Sequence, residues 1–130
     1  MGRDRVVLDS GAVIALAAGK PRARARLTEA LERRAAVVIP AVVLAEVTRG
    51  SALDAPVNRL VKSVEELTPA TEATARLAGR LLGSAGRDDT VDALVVAEAA
   101  TGGPAVVLTA DTKDLSALAA GLPGVRVVAV

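Results

Sequence analysis

"RVVLDSGAVIALAAGK", residues 5–20, joins a short β-branched run to an Ala/Leu-rich segment through one acid, Asp9. A run this brief suits a strand covered on both faces, and the segment after Asp9 reads as the helix that covers it. The alternation returns along the chain. "AVVIP" (36–40) is a second strand closed by Pro40, and "PAVVLAEVTRG" (40–50) resumes as helix with Gly50 as its stop. "PAVVLTAD" (104–111) is a third strand, "TKDLSALAAG" (112–121) a helix, and "VRVVAV" (125–130) the last strand. Between these lie helical candidates at 21–35, opened by Pro21, and at 54–69, 70–84 and 88–101. Continuous apolar strands alternating with helices indicate a parallel sheet. The expected fold is α/β: a three-layer α/β/α sandwich with a central, mostly parallel sheet and a helical insertion in the middle of the chain.

The 130 residues suffice for one domain, taken as 1–130. Apolar residues make up 52% of the chain, yet none is aromatic, which excludes nucleic-acid recognition by stacking on rings. Cysteine and histidine are both absent. The usual zinc ligands, the thiol nucleophile and the imidazole base are therefore missing together. Any catalysis must use carboxylates, hydroxyls, Arg/Lys or a metal bound through oxygen. No secretory leader is expected, because Arg3, Asp4 and Arg5 precede only a short run broken by Asp9. The apolar stretches are too short to span a bilayer, so a soluble, cytoplasmic protein is expected.

The functional groups of an open α/β sheet gather beyond the carboxyl ends of its strands. Asp9 ends the first strand and Asp111 follows the third. Glu46 lies in an apolar segment whose start Pro40 fixes, and Asp92 stands one turn inside its helix, followed by "ALVVA". Each acid also has a plainer reading. Asp9 and Asp111 suit helix N-caps, as do Asp88 and Asp89. Glu46 is spaced for an ion pair with Arg49, and Asp114 for a solvated first turn. Co-occurrence at matching places carries the sharper reading. Gathered carboxylates repel one another, and burial raises the cost. The nearest cations in sequence, Arg5 and Arg87, are poorly placed to help. A hard divalent cation with oxygen ligands, Mg²⁺ or Mn²⁺, neutralises such a cluster directly.

The segments "VVLDSGAVIAL", "IPAVVLAEVTRG", "VDALVVAEAA" and "VLTADTKDL" resemble, in order, the four acidic motifs of PIN-domain ribonucleases. The nearest likeness is to VapC-type toxins of bacterial toxin–antitoxin pairs, and it runs from residue 6 to about residue 129. The resemblance makes Asp9, Glu46, Asp92 and Asp111 the catalytic and metal-holding acids, with Ser10 and Thr109 as supporting hydroxyls. Asp92 is taken as the third acid in preference to Asp89, because "ALVVAEAA" follows it directly. Leu115 stands where many relatives carry Phe, a change of packing only. The implied protein is a Mg²⁺- or Mn²⁺-dependent endoribonuclease, commonly a homodimer, inhibited by an antitoxin that inserts a C-terminal segment into the active-site groove.

With no histidine, the simplest nucleophile is water activated by the cation. RNA must still approach an acidic site. The basic residues between 20 and 34, with Arg49 and Arg87, are candidate guides; Arg22, Arg26, Arg49 and Arg87 are the proposed RNA contacts. A haloacid-dehalogenase-like phosphatase needs a second Asp at position 11, where Gly stands. A phospho-receiver domain would want Asp where Pro40 stands, and the Gly-rich dinucleotide-binding turn is missing. The remaining rival is a catalytically silent PIN-like module that binds RNA or a partner.

Overall fold

A computed structural model describes residues 3–130. Five strands form one sheet: β1 (Arg5–Leu8), β2 (Ala36–Pro40), β3 (Glu66–Thr68), β4 (Ala105–Thr109) and β5 (Val125–Ala129). Their spatial order is β3-β2-β1-β4-β5, and every pairing is parallel. Seven helices connect them: α1 (Ser10–Ala17), α2 (Pro21–Glu32), α3 (Leu44–Val47), α4 (Ala55–Ser63), α5 (Glu72–Ala85), α6 (Thr90–Thr101) and α7 (Thr112–Ala119). The chain steps from β1 to β2 and β3 in one direction, then returns to β4 and β5 in the other. Right-handed crossovers therefore place α1, α2 and α4 on one face and α5, α6 and α7 on the other. Contacts of α1 with α2 and α4, and of α6 with α5 and α7, follow that division.

The strands are the centre of the core. Val6, Val7, Leu8, Val37, Val38, Ile39, Val107 and Leu108 are all buried. Helix α6 crosses β1 and β4, and buries Ala93, Val95, Val96, Ala97 and Ala99. It is apolar on nearly every side because α5 covers its outer surface. Its C-terminal half is tied to the sheet by Arg5, whose guanidinium meets Glu98 Oε1 at 2.8 Å and donates to the Glu98 carbonyl at 3.3 Å. No helix among the described residues is long and apolar enough to cross a membrane.

Two segments depart from the sequence reading. The helix expected over 54–69 stops at Ser63, and Glu66–Thr68 forms the edge strand β3. It pairs Val38 with Glu66 and Pro40 with Thr68. Glu66 and Leu67 are exposed and only Thr68 is buried, so the backbone ladder with β2 holds the segment there against its side-chain pattern. The middle of the chain thus adds a strand as well as helices. The helix expected over 40–50 is a turn of 3-10 helix (Ala41–Val43) followed by the single turn α3. Thr48 ends it in extended conformation, its hydroxyl donating back to the Leu44 carbonyl at 2.6 Å. Asp54 then collects the chain, accepting from the backbone N–H of Arg49 at 3.0 Å and of Gly50 at 2.7 Å.

The first turn of α1 lies against the chain beyond β4. A Cβ at Gly11 would stand 2.8 Å from the Ala110 Cβ and 3.2 Å from its backbone nitrogen. Neither atom can swing away. Gly11→Ala is expected to destabilise the protein by roughly 1–3 kcal/mol, the usual cost of overpacking. Gly79→Ala, on exposed α5 with nothing within 4 Å, is expected to stabilise by about 0.5–1 kcal/mol. Thermal melts followed by circular dichroism check the pair, since no aromatic reporter exists.

Candidate functional site

Because β1 and β4 are neighbours whose chains leave toward opposite faces, the switch point of the sheet lies at their carboxyl ends, where functional groups of open α/β sheets gather. Asp9 occupies the β1 side. It is 4% exposed and caps α1, accepting from the Ala12 N–H at 2.8 Å. Thr109, fully buried at the end of β4, joins it to the other side. The Thr109 hydroxyl hydrogen-bonds the Asp9 carboxylate and accepts from the Asp111 N–H at 2.8 Å. Asp111 is exposed and caps α7, accepting from the Asp114 N–H at 3.1 Å. The capping and functional readings of both acids therefore coexist in one geometry. The backbone N–H of Val130 donates to the Thr109 carbonyl at 3.0 Å, so β5 ends at the same rim.

Glu46 reaches the rim from α3, where the Ser10 hydroxyl donates to its Oε1. The pair with Arg49 is not formed. Arg49 Nη1 folds back instead onto the carbonyls of Ala45, Glu46 and Thr48, the last at 2.7 Å. Asp92, on the first turn of α6, is half-buried. Asp89 holds the N-cap position of that helix but makes no side-chain cap, and the Asp88 carbonyl accepts only the Thr90 hydroxyl, at 3.4 Å. The expected capping by these two aspartates is replaced by an ion pair. Arg87 Nε meets Asp89 Oδ1 at 3.1 Å, and Arg87 Nη2 meets Asp114 Oδ1 at 2.6 Å. Asp114 is thus partnered where a solvated acid was expected, and Arg87 serves acids that the sequence left without a cation. The Arg87–Asp89 spacing is local and readable; the Arg87–Asp114 contact depends on the fold.

Electrostatics links Asp9 to Asp111, Glu46 and Asp92. Among the described residues, the acids whose oxygens come within 4.8 Å of one another are Asp89, Asp92 and Asp114, and of the predicted four only Asp92 belongs to that set. Burial pushes the Asp9 carboxyl up, against hydrogen bonds from Thr109 and Ala12, and the charges of Asp111 and Glu46 push it further. Asp92 is raised from 3.8 to about 6, first by burial, then by the charges of Asp89, Asp9 and Glu46. Asp111 is held below its ordinary value by hydrogen bonds from Asp114, with Arg87 assisting. Asp89 is lowered chiefly by Arg87. Segments far apart in sequence have brought like charges into one neighbourhood at the sheet's rim. Such a donor set of carboxylates and hydroxyls fits a hard divalent cation and no soft one.

Of the arginines proposed to meet RNA, Arg49 lies beside Glu46, and Arg87 is committed to Asp89 and Asp114. Arg26 Nε donates to the Ala129 carbonyl at 3.3 Å, at the end of β5 level with Thr109. Arg22 is exposed one turn earlier on α2. Two residues that position the site escaped the sequence reading. Asp54 secures the exit from α3, and Gly11 lets α1 approach Ala110.

A family model described as PIN domain matches residues 6–121. Among solved structures, a chain from VapBC-5 of Mycobacterium tuberculosis, a member of the VapBC family of toxin-antitoxin systems, is similar at 28% identity. The match covers 97% of this chain and 98% of that one, with a TM-score of 0.62. A chain from a toxin-antitoxin complex of Klebsiella pneumoniae shares the fold at 22% identity, covering 92% and 94% with a TM-score of 0.68. FitAcB from Neisseria gonorrhoeae does so at 21% identity, covering 94% and 95% with a TM-score of 0.61. No curated protein sequence matches the chain. With the matched segment spanning β1 through α7, the chain belongs to the PIN-domain family.

Proposed function

We propose that this chain is the toxin of a toxin–antitoxin pair, a Mg²⁺- or Mn²⁺-dependent endoribonuclease. One observation carries the reading: Asp9, Glu46, Asp92 and Asp111 come from four separate segments, yet Asp9 feels the charges of Asp111 and Glu46, and Asp92 feels those of Asp9 and Glu46. Family membership supports the nuclease class, and the likeness to VapBC-5 supports the toxin assignment and an antitoxin partner. Homodimer formation is the further expectation from the family.

Asp9, Asp92 and Asp111 would hold the cation, directly or through water, and Glu46 would complete the cluster or accept a proton. Bound there, the ion supplies positive charge that acidifies water and stabilises the crowded phosphoryl transition state. The chain does the rest. Thr109 fixes Asp9 and the Asp111 backbone with one hydroxyl, and Ser10 aims Glu46. Glu46, exposed on α3, would in the second role take the proton of the attacking water. Attack by water in line with the leaving oxygen leaves a 5′-phosphate and a 3′-hydroxyl. Arg22, Arg26 and Arg49 would steer the backbone of the RNA, each as a phosphate contact without base reading.

The alternative is a silent module that binds RNA or a partner without cutting. Incubating purified protein with total RNA, with and without Mg²⁺ or Mn²⁺, and mapping new 5′ ends separates the two. Asp9→Asn and Asp111→Asn are each expected to lower cleavage by about a hundredfold or more while the protein stays folded. Wild-type rates in these variants, or a 2′,3′-cyclic phosphate product, would overturn the assignment. Cleavage is also expected to fall steeply as salt rises, and a flat response would remove the arginines from the reading.

Asp92 binds its proton more tightly in the folded chain than in the unfolded one. The metal-free protein should therefore lose stability as pH rises from about 4 through about 6. Asp92→Asn is expected to raise the melting temperature by a few degrees above that window and to leave it unchanged below. Melts across pH in the presence of a chelator read this directly.

A further inference from the structure

The carboxylates of Asp89, Asp92 and Asp114 offer oxygen atoms that all lie within 4.8 Å of one another. By spacing alone this trio looks ready for a divalent cation. Two of its members are already taken. Arg87 lies between them, with Nε 3.1 Å from Asp89 Oδ1 and Nη2 2.6 Å from Asp114 Oδ1. All three side chains are sheltered, at 28% exposure for Arg87, 26% for Asp89 and 35% for Asp114.

The chain builds this arrangement deliberately in its local structure. Gly86 closes α5 in the left-handed conformation, with φ 64°, which turns the next residue back over the helix end. Arg87 N–H then donates to the Leu82 carbonyl at 3.0 Å, fixing the base of the side chain. From there the planar fork spans two elements. Asp89 heads α6, which carries Asp92, and Asp114 sits in the first turn of α7, which Asp111 caps. The other ion pairs among the described residues join Arg3 to Glu65, Arg5 to Glu98, Arg33 to Asp4 and Arg76 to Glu72. None of them serves this rim.

We propose that Arg87 is a positioning residue that latches the heads of α6 and α7 together and reserves Asp89 and Asp114 against a divalent cation. The ion is thereby directed to the side of the rim formed by Asp9, Glu46, Asp92 and Asp111. A guanidinium suits the task because its fork binds two carboxylates at once and never loses its charge. Removing it leaves three like charges within coordinating distance of one another, a set that a second ion would relieve. This inference rests on the metal-dependent reading above, and it assigns Asp89 and Asp114 to the scaffold of the site.

Titration of the metal-free, full-length protein with Mn²⁺, read by calorimetry and by electron paramagnetic resonance of the free ion, tests it. Arg87→Gln is expected to take up one additional Mn²⁺ per chain, or to bind Mn²⁺ about tenfold more tightly. Adding Asp114→Asn to that variant should return both stoichiometry and affinity to wild type. Arg76→Gln, an equal change of charge on exposed α5, should leave them unaltered. Arg87→Lys keeps the charge but not the fork, so its affinity should lie between; it carries the test if Arg87→Gln does not fold. Unchanged Mn²⁺ uptake in both Arg87 variants overturns the proposal. If the wild-type chain takes up no Mn²⁺ at all, the metal-dependent reading fails instead. The latch is then read by melts of Arg87→Gln, Asp114→Asn and their combination, where coupled losses support it and additive losses overturn it.

Discussion

One buried hydroxyl holds the two halves of the rim in register. Thr109 ends β4 with no exposed surface, and its side chain meets Asp9 on one side and the Asp111 backbone on the other. The constraint behind it is topological. A parallel sheet whose chain leaves its central pair of strands in opposite directions must leave a gap above them. In this protein the gap is bordered by an acid at the end of each strand, and a neutral group small enough for the core links them. Valine would fill the same volume and bond to neither. Everything else at the rim, from the turn carrying Glu46 to the head of α6, is arranged around that fixed pair.

Helix α6 shows how such a rim is kept rigid. Its middle is a buried Ala/Val surface that gives the helix no polar purchase on the sheet. Arginines hold it at both ends. Arg5, from the first strand, pairs with Glu98 and donates to the last carbonyls, where positive charge suits the helix dipole. Gly102 leaves room for it, since a Cβ there would meet the Arg5 guanidinium. Arg87 holds the opposite end through Asp89. Asp92 is thus carried on a helix held by an ion pair at each end.

Much of this was legible from the residues. Strands β1, β2 and β4 declare themselves because burial on both faces demands apolar runs. Strand β5 shows itself by its valines although it is an edge strand with Arg126 exposed, and Asp9 and Asp111 stand out where the runs end. The rest was hidden for specific reasons. The segment Glu66–Thr68 is an edge strand of three residues with two exposed side chains, so its pairing with β2 leaves no periodic trace. The turn at 41–47 is too short to show helical periodicity at all. Arg87 was visible as a cation but not as the partner of Asp114, because nothing local brings residues 87 and 114 together. Asp89 sits where a cap belongs, yet a charged partner two residues away outcompetes the backbone for its oxygens.

Asp54 is the acid most easily misjudged. It lies 9% exposed, outside the cluster, and spends its oxygens on the N–H groups of Arg49 and Gly50. Those bonds clasp the loop that leaves α3, and α3 is the single turn that presents Glu46. An acid-by-acid survey judged on turnover alone would score Asp54 with the reacting groups, although its work is that of a buckle on the strap behind them.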